Sequence, residues 1–135
     1  MAPLLAELGH PAPPEELAGR LRELLALSST ERVWVAETAG EILGVAAVHL
    51  ARTLHRPRPV GRITVLVVAP QAQGRGLGRA LVAVCERQLA DWGAERVELT
   101  SGTHRLEAHE FYRRLGYRQE GVKFARRLGA DRGPG

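Results

Sequence analysis

The sequence predicts one α/β domain in which helices flank a mixed and mostly antiparallel sheet. Three observations predict this class. The spacing of apolar residues changes several times along the 135 residues between the helical repeat and the alternation of strands. Two strands are each followed by a helix, and a glycine-rich loop joins the first such pair. The length and the 44% share of hydrophobic residues suit a single domain over residues 1–135.

The first predicted element is an amphipathic helix over residues 14–27. Its leucines recur at helical spacing, and Glu15 and Glu16 follow Pro14 in the first turn. A β-hairpin comes next, because Val33 and Val35 alternate with other residues ahead of a tight turn at 38–41 and a second strand at 42–50. Residues 51–59, rich in arginine and proline, predict a basic loop.

Two strand-and-helix pairs follow the hairpin. A β-branched stretch over residues 63–69 ends at Pro70, and a glycine-rich loop then leads to a helix over 77–92. A short strand around Val97 and Leu99 precedes a helix over residues 104–115. The tail at 117–128 predicts one or two short strands, and residues 129–135 predict a frayed end.

Several function classes are excluded by composition. No apolar run approaches the roughly 20 residues that span a bilayer, and the N-terminus lacks the features of a signal peptide, so we expect a cytoplasmic protein without a membrane partner. The single cysteine, Cys85, lies at helical spacing with Leu81 and Leu89 and is predicted to be a core residue. One cysteine forms no internal disulfide and no multi-cysteine zinc site, and we expect no metal.

The basic residues are almost all arginine, since Lys123 is the only lysine among 19. This bias suits an anionic partner such as a phosphorylated cofactor, or it reflects a genome that favours arginine codons. The basic residues are dispersed and only 4% of residues are aromatic, which argues against a nucleic-acid partner.

The loop after the third strand is suited to hold phosphate. Unpaired amides at the start of a helix point outward, and the helix dipole favours negative charge there. The dinucleotide-binding motif does not fit this loop, because Arg79 stands where its third glycine is required. The loop of the nucleotide hydrolases does not fit either, because the chain contains no Gly-Lys-Ser/Thr tripeptide.

Two motifs do fit a known family. Gln73-Gly74-Arg75-Gly76-Leu77-Gly78 resembles the acetyl-CoA loop of the GNAT superfamily of N-acetyltransferases. The segment from Ala108 through Phe111 and Tyr112 to Gly116 and Tyr117 is similar to the family's Ala-x-x-Phe-Tyr-x-x-x-Gly-Phe/Tyr motif. The resemblance covers residues 33–128, approximately, and it implies the acyl-CoA N-acyltransferase fold with acetyl-CoA as cosubstrate.

The resemblance also implies where coenzyme A lies. It predicts a cleft where the strands around Val67 and Leu99 splay apart, with the pantetheine arm against one strand and the pyrophosphate on the loop. Arg105 stands where many members have an asparagine that contacts the coenzyme. The residues predicted to bind the coenzyme are Val67, Val68, Gln73, Gly74, Arg75, Gly76, Leu77, Gly78, Arg79 and Arg105.

The implied activity is direct transfer of acetyl from acetyl-CoA to a primary amine of a small molecule or peptide. Tyr112 lies where the family's general acid often lies, and the alternative is a tyrosine that only packs. The acid often present on the strand before the loop is replaced by Thr64 and Val65. The general base therefore stays open, with Glu37, Glu98, His49, His55 and His109 as candidates. The alternative function is a non-catalytic acyl-CoA-binding sensor or interaction module.

One departure from the family concerns assembly. The family usually begins with a strand, whereas Leu4, Leu5 and Leu8 have helical spacing, so the first strand is expected to be absent. The strand at residues 33–37 would then have an unpaired edge. Either the start of the chain is truncated, or another segment or a second subunit fills the gap, and of these we expect a homodimer. The loop at residues 51–59 is expected to contribute to acceptor choice and to suit a carboxylate or phosphate.

Overall fold

A computed structural model of the chain describes residues 3–4, 13–100 and 106–129, and the predicted helices and first four strands are found in the predicted order. Two compact units are present, Met1–Thr100 and Ser101–Gly135. The expectation of one domain over residues 1–135 stays a prediction. The elements are α1 (Pro14–Leu25), β1 (Glu31–Thr38), β2 (Glu41–Ala51), β3 (Val60–Val68), a 3-10 turn (Pro70–Ala72), α2 (Leu77–Asp91), β4 (Val97–Leu99) and α3 (Leu106–Arg114).

The sheet of the first unit has the order β1-β2-β3-β4. The first three strands pair antiparallel, and β4 pairs parallel to β3. This confirms the predicted mixed and mostly antiparallel sheet. Within the described part of the chain no strand precedes β1, which pairs there with β2 alone.

Helix α2 packs against one face of this sheet. Its apolar stripe of Leu81, Val82, Cys85 and Leu89 is buried. A Cβ added to Gly61 of β3 would lie 2.8 Å from Cδ1 of Leu89, so the missing side chain is what lets the helix approach the strand. This contact holds the C-terminal part of α2 against the start of β3.

The opposite face carries a second group of buried side chains. Val45 and Val67 lie directly opposite each other in β2 and β3, and they form a cluster with Leu4, Ala69 and Ala72. The sheet is thus apolar on both faces near the C-terminal end of β3. None of the helices in the described ranges is long and apolar enough to cross a membrane.

The tail of the second unit differs from the sequence prediction. Residues 117–128 contain no strand, and Val122 and Phe124 are exposed. The prediction of one or two short strands was wrong for these residues. Alternating apolar residues favour an extended backbone, but a strand also needs a neighbour to accept its hydrogen bonds. The predicted fray at residues 129–135 falls almost entirely outside the described residues.

Candidate active site

The site begins where β3 continues beyond β4. The two strands pair only at Gly61, Arg62 and Ile63 of β3, opposite Val97–Leu99. The five residues of β3 that follow this pairing, 64–68, have no strand partner on that side within the described residues. Their backbone forms an open edge that can accept an extended amide chain.

A bulge at Thr64 decides which backbone groups face the open edge. Ala47 pairs with Val65 and Val48 pairs with Ile63, so Thr64 is an additional residue in β3. Before the bulge, the N–H of Gly61 donates to the carbonyl of Arg96 at 3.0 Å and so faces β4. If β3 had no bulge, the backbone groups of every odd-numbered residue in the strand would face β4.

After the bulge the alternation is reversed. The N–H of Ala69 donates to the carbonyl of Leu43 at 2.8 Å, so Ala69 and Val67 direct their backbone groups towards β2. Leu66 and Val68 consequently face the open edge. The sequence predicted Val67 and Val68 as binding residues and missed Leu66, because a run of β-branched residues does not reveal a bulge.

Gln73 lies beside the open edge. Its Nε2 donates to the carbonyl of Val68 at 3.3 Å, while the side chain remains exposed. This contact ties the start of the glycine-rich loop to the end of β3. The geometry gives Gln73 a supporting position next to the edge.

The glycine-rich loop turns the chain from β3 into α2. Gly74 and Gly76 have φ values of +82° and +80°, and a Cβ at either would have nothing within 4 Å. Glycine is favoured at these positive φ values, and the space above the backbone is open. The loop therefore presents bare backbone at this surface.

The first amides of α2 follow directly. The N–H of Ala80 donates to the carbonyl of Gly76 at 3.0 Å, so the preceding amides of Leu77, Gly78 and Arg79 have no acceptor within the helix. The first turn contains no acidic residue, and both Arg75 and Arg79 are exposed. Leu77 packs its side chain against the core, so only its backbone is available to a ligand. These groups are suited to bind an anion at one end of the open edge.

The polar candidates for a general base are spread over the first unit. Nδ1 of His49 contacts the Glu31 carboxylate, and the side chain of His49 is 39% exposed. Glu98 has an arginine at each oxygen, with Arg62 Nη2 at 3.8 Å and Arg96 Nε at 3.1 Å. Glu37 and His55 are exposed, the first near the end of β1 and the second in the loop after β2.

The remaining candidates lie in the second unit. Tyr112 is half-buried, and its ring meets Phe111 and Tyr117 edge to face, with centroids 5.3 and 6.1 Å away. His109 is also half-buried on α3. Arg105 lies outside the described residues. The aromatic contacts give Tyr112 a packing role within its unit, in addition to the catalytic role that the motif predicts.

The buried thiol is not a nucleophile. Burial, and secondarily the charge of Glu86, raises the pKa of Cys85 from 9.0 to about 12, so the reactive thiolate is absent at neutral pH. Among the described residues no group of three or more histidine, cysteine, aspartate or glutamate side chains could hold a metal ion.

Comparison with known proteins agrees with this geometry. The profile of the Acetyltransferase (GNAT) family matches residues 3–117. Aminoalkylphosphonate N-acetyltransferase of Salmonella typhimurium is 37% identical over 89 residues, which are 66% of this chain and 58% of that protein. Mycothiol acetyltransferase of Pseudarthrobacter chlorophenolicus is 36% identical over 83 residues, 60% of this chain and 25% of that protein. The chain thus matches less than two thirds of the length of these relatives.

Solved structures share the fold. A protein from Agrobacterium tumefaciens str. C58 that is described as an acetyltransferase matches with a TM-score of 0.81 and 25% identity, over 94% of this chain and 90% of that one. Glucosamine-6-phosphate N-acetyltransferase of Arabidopsis thaliana has the same fold, with a TM-score of 0.80 and 21% identity over 96% of this chain and 89% of that one. With an open strand edge that leads to a glycine-rich helix N-terminus, and with a profile match over most of its length, the chain belongs to the GNAT acetyltransferase family.

Proposed function

We propose that the protein transfers acetyl from acetyl-CoA to the primary amine of a small acceptor that carries an anionic group. The observation that carries the proposal is the continuous backbone surface from Leu66 and Val68 to the first amides of α2. An extended amide chain with a pyrophosphate at one end matches this surface, because the strand edge accepts amides and the helix N-terminus accepts anions.

The coenzyme is proposed to lie along this surface in one direction. Its pyrophosphate meets the amides of Gly74 to Arg79, and the pantetheine arm runs back along Val68 towards Leu66. Arg75 and Arg79 are exposed on either side of the helix start and are suited to the phosphate oxygens. Arg105 is proposed as a further phosphate ligand from its position in the sequence.

The chemistry requires an oxyanion donor and two proton transfers. The N–H of Leu66, which faces the open edge after the bulge, is suited to stabilise the oxygen of the tetrahedral intermediate. As the C–S bond breaks, the thiolate of coenzyme A takes a proton, and we assign its donor to Tyr112 on the strength of the Ala108-to-Tyr117 motif.

The acceptor class follows from a relative and from a basic loop. The relative from Salmonella typhimurium is an aminoalkylphosphonate N-acetyltransferase, whose name specifies an amine and a phosphonate in one molecule. In this chain Arg52, His55 and Arg58 are exposed in the loop between β2 and β3. Their charge is suited to a phosphonate, phosphate or carboxylate on the acceptor.

Coenzyme binding and turnover test the proposal separately. Coenzyme A at 100 times its dissociation constant is expected to add about 2.7 kcal/mol of stability, visible as a rise in Tm. Acetyl-CoA with 2-aminoethylphosphonate is expected to release thiol faster than acetyl-CoA alone. Binding without thiol release across a panel of phosphonate, phosphate and carboxylate amines would identify an acyl-CoA sensor instead. No rise in Tm at millimolar coenzyme A would overturn both functions.

We also propose that the protein is cytoplasmic and uses no metal. A single buried thiol and an acetyl-CoA-dependent reaction both suit that compartment. The proposed chemistry needs only backbone amides and protonatable side chains. Salt-dependent retention on DNA would contradict the absence of a nucleic-acid partner.

A further inference from the structure

Arg62 lies on β3 just before the open edge begins. The strand registers place it opposite His49 of β2 and Glu98 of β4. Its neighbour Gly61 faces Leu89 of α2, and successive side chains of a strand point to opposite faces, so Arg62 points away from the helix. Its side chain is 54% exposed. The guanidinium group therefore reaches solvent on the face of the sheet that α2 does not cover.

Contact with Glu98 places the guanidinium group of Arg62 on the β4 side of β3. Nη2 of Arg62 is 3.8 Å from Oε1 of Glu98, which is longer than a hydrogen bond, so this contact attracts the guanidinium group without taking its N–H donors. Nε of Arg96 lies 3.1 Å from the other oxygen of Glu98. On the far side of β2, the carboxylate of Glu31 contacts His49. One carboxylate thus faces two guanidinium groups, and the excess positive charge suits an anionic ligand.

Thr64 leaves the β4 side of the strand open between Arg62 and Leu66. Its Oγ1 donates to the carbonyl of Ala47 on β2 at 3.3 Å, so the hydroxyl is directed away from β4. In the described part of the chain the pairing of β3 with β4 ends at Ile63, before this stretch. A ligand can therefore lie along β3 from the guanidinium group to the N–H of Leu66. Because α2 packs on the other face of the sheet, such a ligand enters from the face of Arg62.

The strand register gives the distance that an acceptor must span. Arg62 lies opposite His49 and Leu66 lies opposite Ala46, and these two residues of β2 are three positions apart. At about 3.3 Å per residue, Arg62 and Leu66 are separated by about 10 Å along the sheet.

A short amine with an anionic group fits this distance. A charged hydrogen bond from the guanidinium group is about 2.8 Å long, and attack starts with the nitrogen about 3 Å from the carbonyl carbon. The nitrogen and phosphorus of 2-aminoethylphosphonate are about 4 Å apart. With the P–O bond included, the line from guanidinium group to thioester is about 11 Å long, which leaves the acceptor free to bend slightly.

The basic loop between β2 and β3 lies too far from Leu66 to hold the same group. Its arginines precede Val60, which is opposite Ala51, five positions from Ala46 and about 17 Å along the sheet. Their charge suits the attraction of an anionic acceptor to this end of the sheet, whereas Arg62 is near enough to bind it at the thioester.

We propose that Arg62 binds the anionic group of the acceptor, an inference that rests on the proposed function. Its guanidinium group donates paired hydrogen bonds to two oxygens of a phosphonate, phosphate or carboxylate, and the amine then lies at the thioester beside Leu66. The acceptor class is a primary amine separated from its anionic group by about two carbon atoms. Arg62 thus selects acceptors by both charge and length.

The test compares two acceptors that differ in charge. 2-Aminoethylphosphonate and 2-aminoethyl methyl sulfone share the amine, the two-carbon spacer and a tetrahedral group with oxygens, but the sulfone group is neutral. We expect Arg62→Ala to raise KM for the phosphonate about 10- to 100-fold with a smaller effect on kcat, and to change kcat/KM for the sulfone less than about 3-fold. Arg62→Lys should recover part of the loss.

Charge reversal and spacer length give two further readouts. Arg62→Glu should acetylate 1,3-diaminopropane about 10-fold better than wild type does, because the new carboxylate attracts the second ammonium group. Wild type should prefer 2-aminoethylphosphonate to aminomethylphosphonate by about 3- to 10-fold, since the shorter amine reaches the thioester poorly. Arg62→Ala should lose this preference.

Arg114→Ala is the matched control, because it removes an exposed arginine from an ion pair of the same kind, with Glu110 at 3.5 Å. It should behave as wild type with every acceptor. The rise in Tm with coenzyme A should persist in all the variants, which shows that the coenzyme site is folded.

Each outcome decides whether Arg62 binds the acceptor. Equal losses with the phosphonate and the sulfone would give Arg62 a structural role, and unchanged kinetics with both would show no contact with the acceptor; either overturns the inference while acetyl transfer stands. If wild type turns over neither compound although coenzyme A raises its Tm, the proposed enzymatic function fails, and the inference fails with it. A loss confined to the phosphonate supports both.

Discussion

At the scale of single residues, Tyr112 carries the sharpest catalytic prediction. Tyr112→Phe keeps the ring that packs against Phe111 and Tyr117 but removes the proton. We expect kcat to fall about 100-fold with little change in Tm, because the loss of a proton donor affects the departing thiolate. Tyr117→Phe is the control and should retain activity. Wild-type kcat in Tyr112→Phe would leave the tyrosine with a packing role only.

Gly61 shows how one absent side chain determines packing. In Gly61→Ala the new Cβ would lie 2.8 to 3.0 Å from three atoms of the buried Leu89, so we expect a loss of about 1–3 kcal/mol in the free energy of unfolding. Gly19→Ala on α1 is the contrasting variant, since its Cβ meets nothing closer than 4.0 Å, and it should stabilise by about 0.5–1 kcal/mol. Urea denaturation measures both. Equal stability of the two variants would contradict this account of the packing.

Cys85 gives a prediction that depends on pH. The native pKa is raised to about 12 from 9.0, so below pH 9 the thiol costs the folded state nothing. As pH rises from 9 towards 12, the unfolded chain gains a thiolate that the folded chain resists, and stability falls. The decline should be steeper in wild type than in Cys85→Ala. A thiol reagent at pH 8 should label the native protein far more slowly than the protein in denaturant; equal labelling rates would show that the thiol is not protected.

At the scale of elements, the N-terminus of α2 should hold the phosphates of the coenzyme. We expect Arg79→Ala and Arg75→Ala each to weaken coenzyme A binding about 3- to 20-fold, since each removes a charged hydrogen-bond donor at an exposed site. Arg87→Ala, on the exposed side of the same helix two turns further along, is the matched control. Isothermal titration at low and high salt measures the effect. Identical affinities of all three variants for coenzyme A would show that neither Arg75 nor Arg79 binds the coenzyme.

Features of the elements that depend on local sequence were predicted, whereas features that depend on strand pairing were not. The hairpin of β1 and β2 was predicted because its alternation and its turn at Ala39 and Gly40 are local features. The bulge at Thr64 was not predicted, since it exists only through the pairing of β3 with β2. For this reason Leu66 was missed as an edge residue. The prediction of strands after Tyr117 was wrong for a related reason, because strand formation depends on a neighbouring strand rather than on alternation alone.

At the scale of the whole molecule, the outer edge of β1 favours a homodimer. Among the described strands β1 pairs only with β2, and Val35 on it is 43% exposed. Edge strands of this length are commonly paired or covered. We expect a dimer at tens of micromolar by light scattering after size exclusion, and we expect Val35→Lys to shift it towards monomer. A wild-type monomer under these conditions would overturn the prediction.

The sequence by itself determined the order of elements, the glycine-rich loop and the family. Each depends on residues that are close together in the chain, where periodicity and turn chemistry act directly. Tertiary structure alone decided that Leu66 and Val68 face the open edge and that Glu31, His49, Arg62 and Glu98 lie side by side. Glu31 and His49 are 18 residues apart, and only the pairing of strands brings them together. Strand register depends on the packing of both sheet faces at once, and a shift of one residue in any of these strands would turn its side chain to the opposite face.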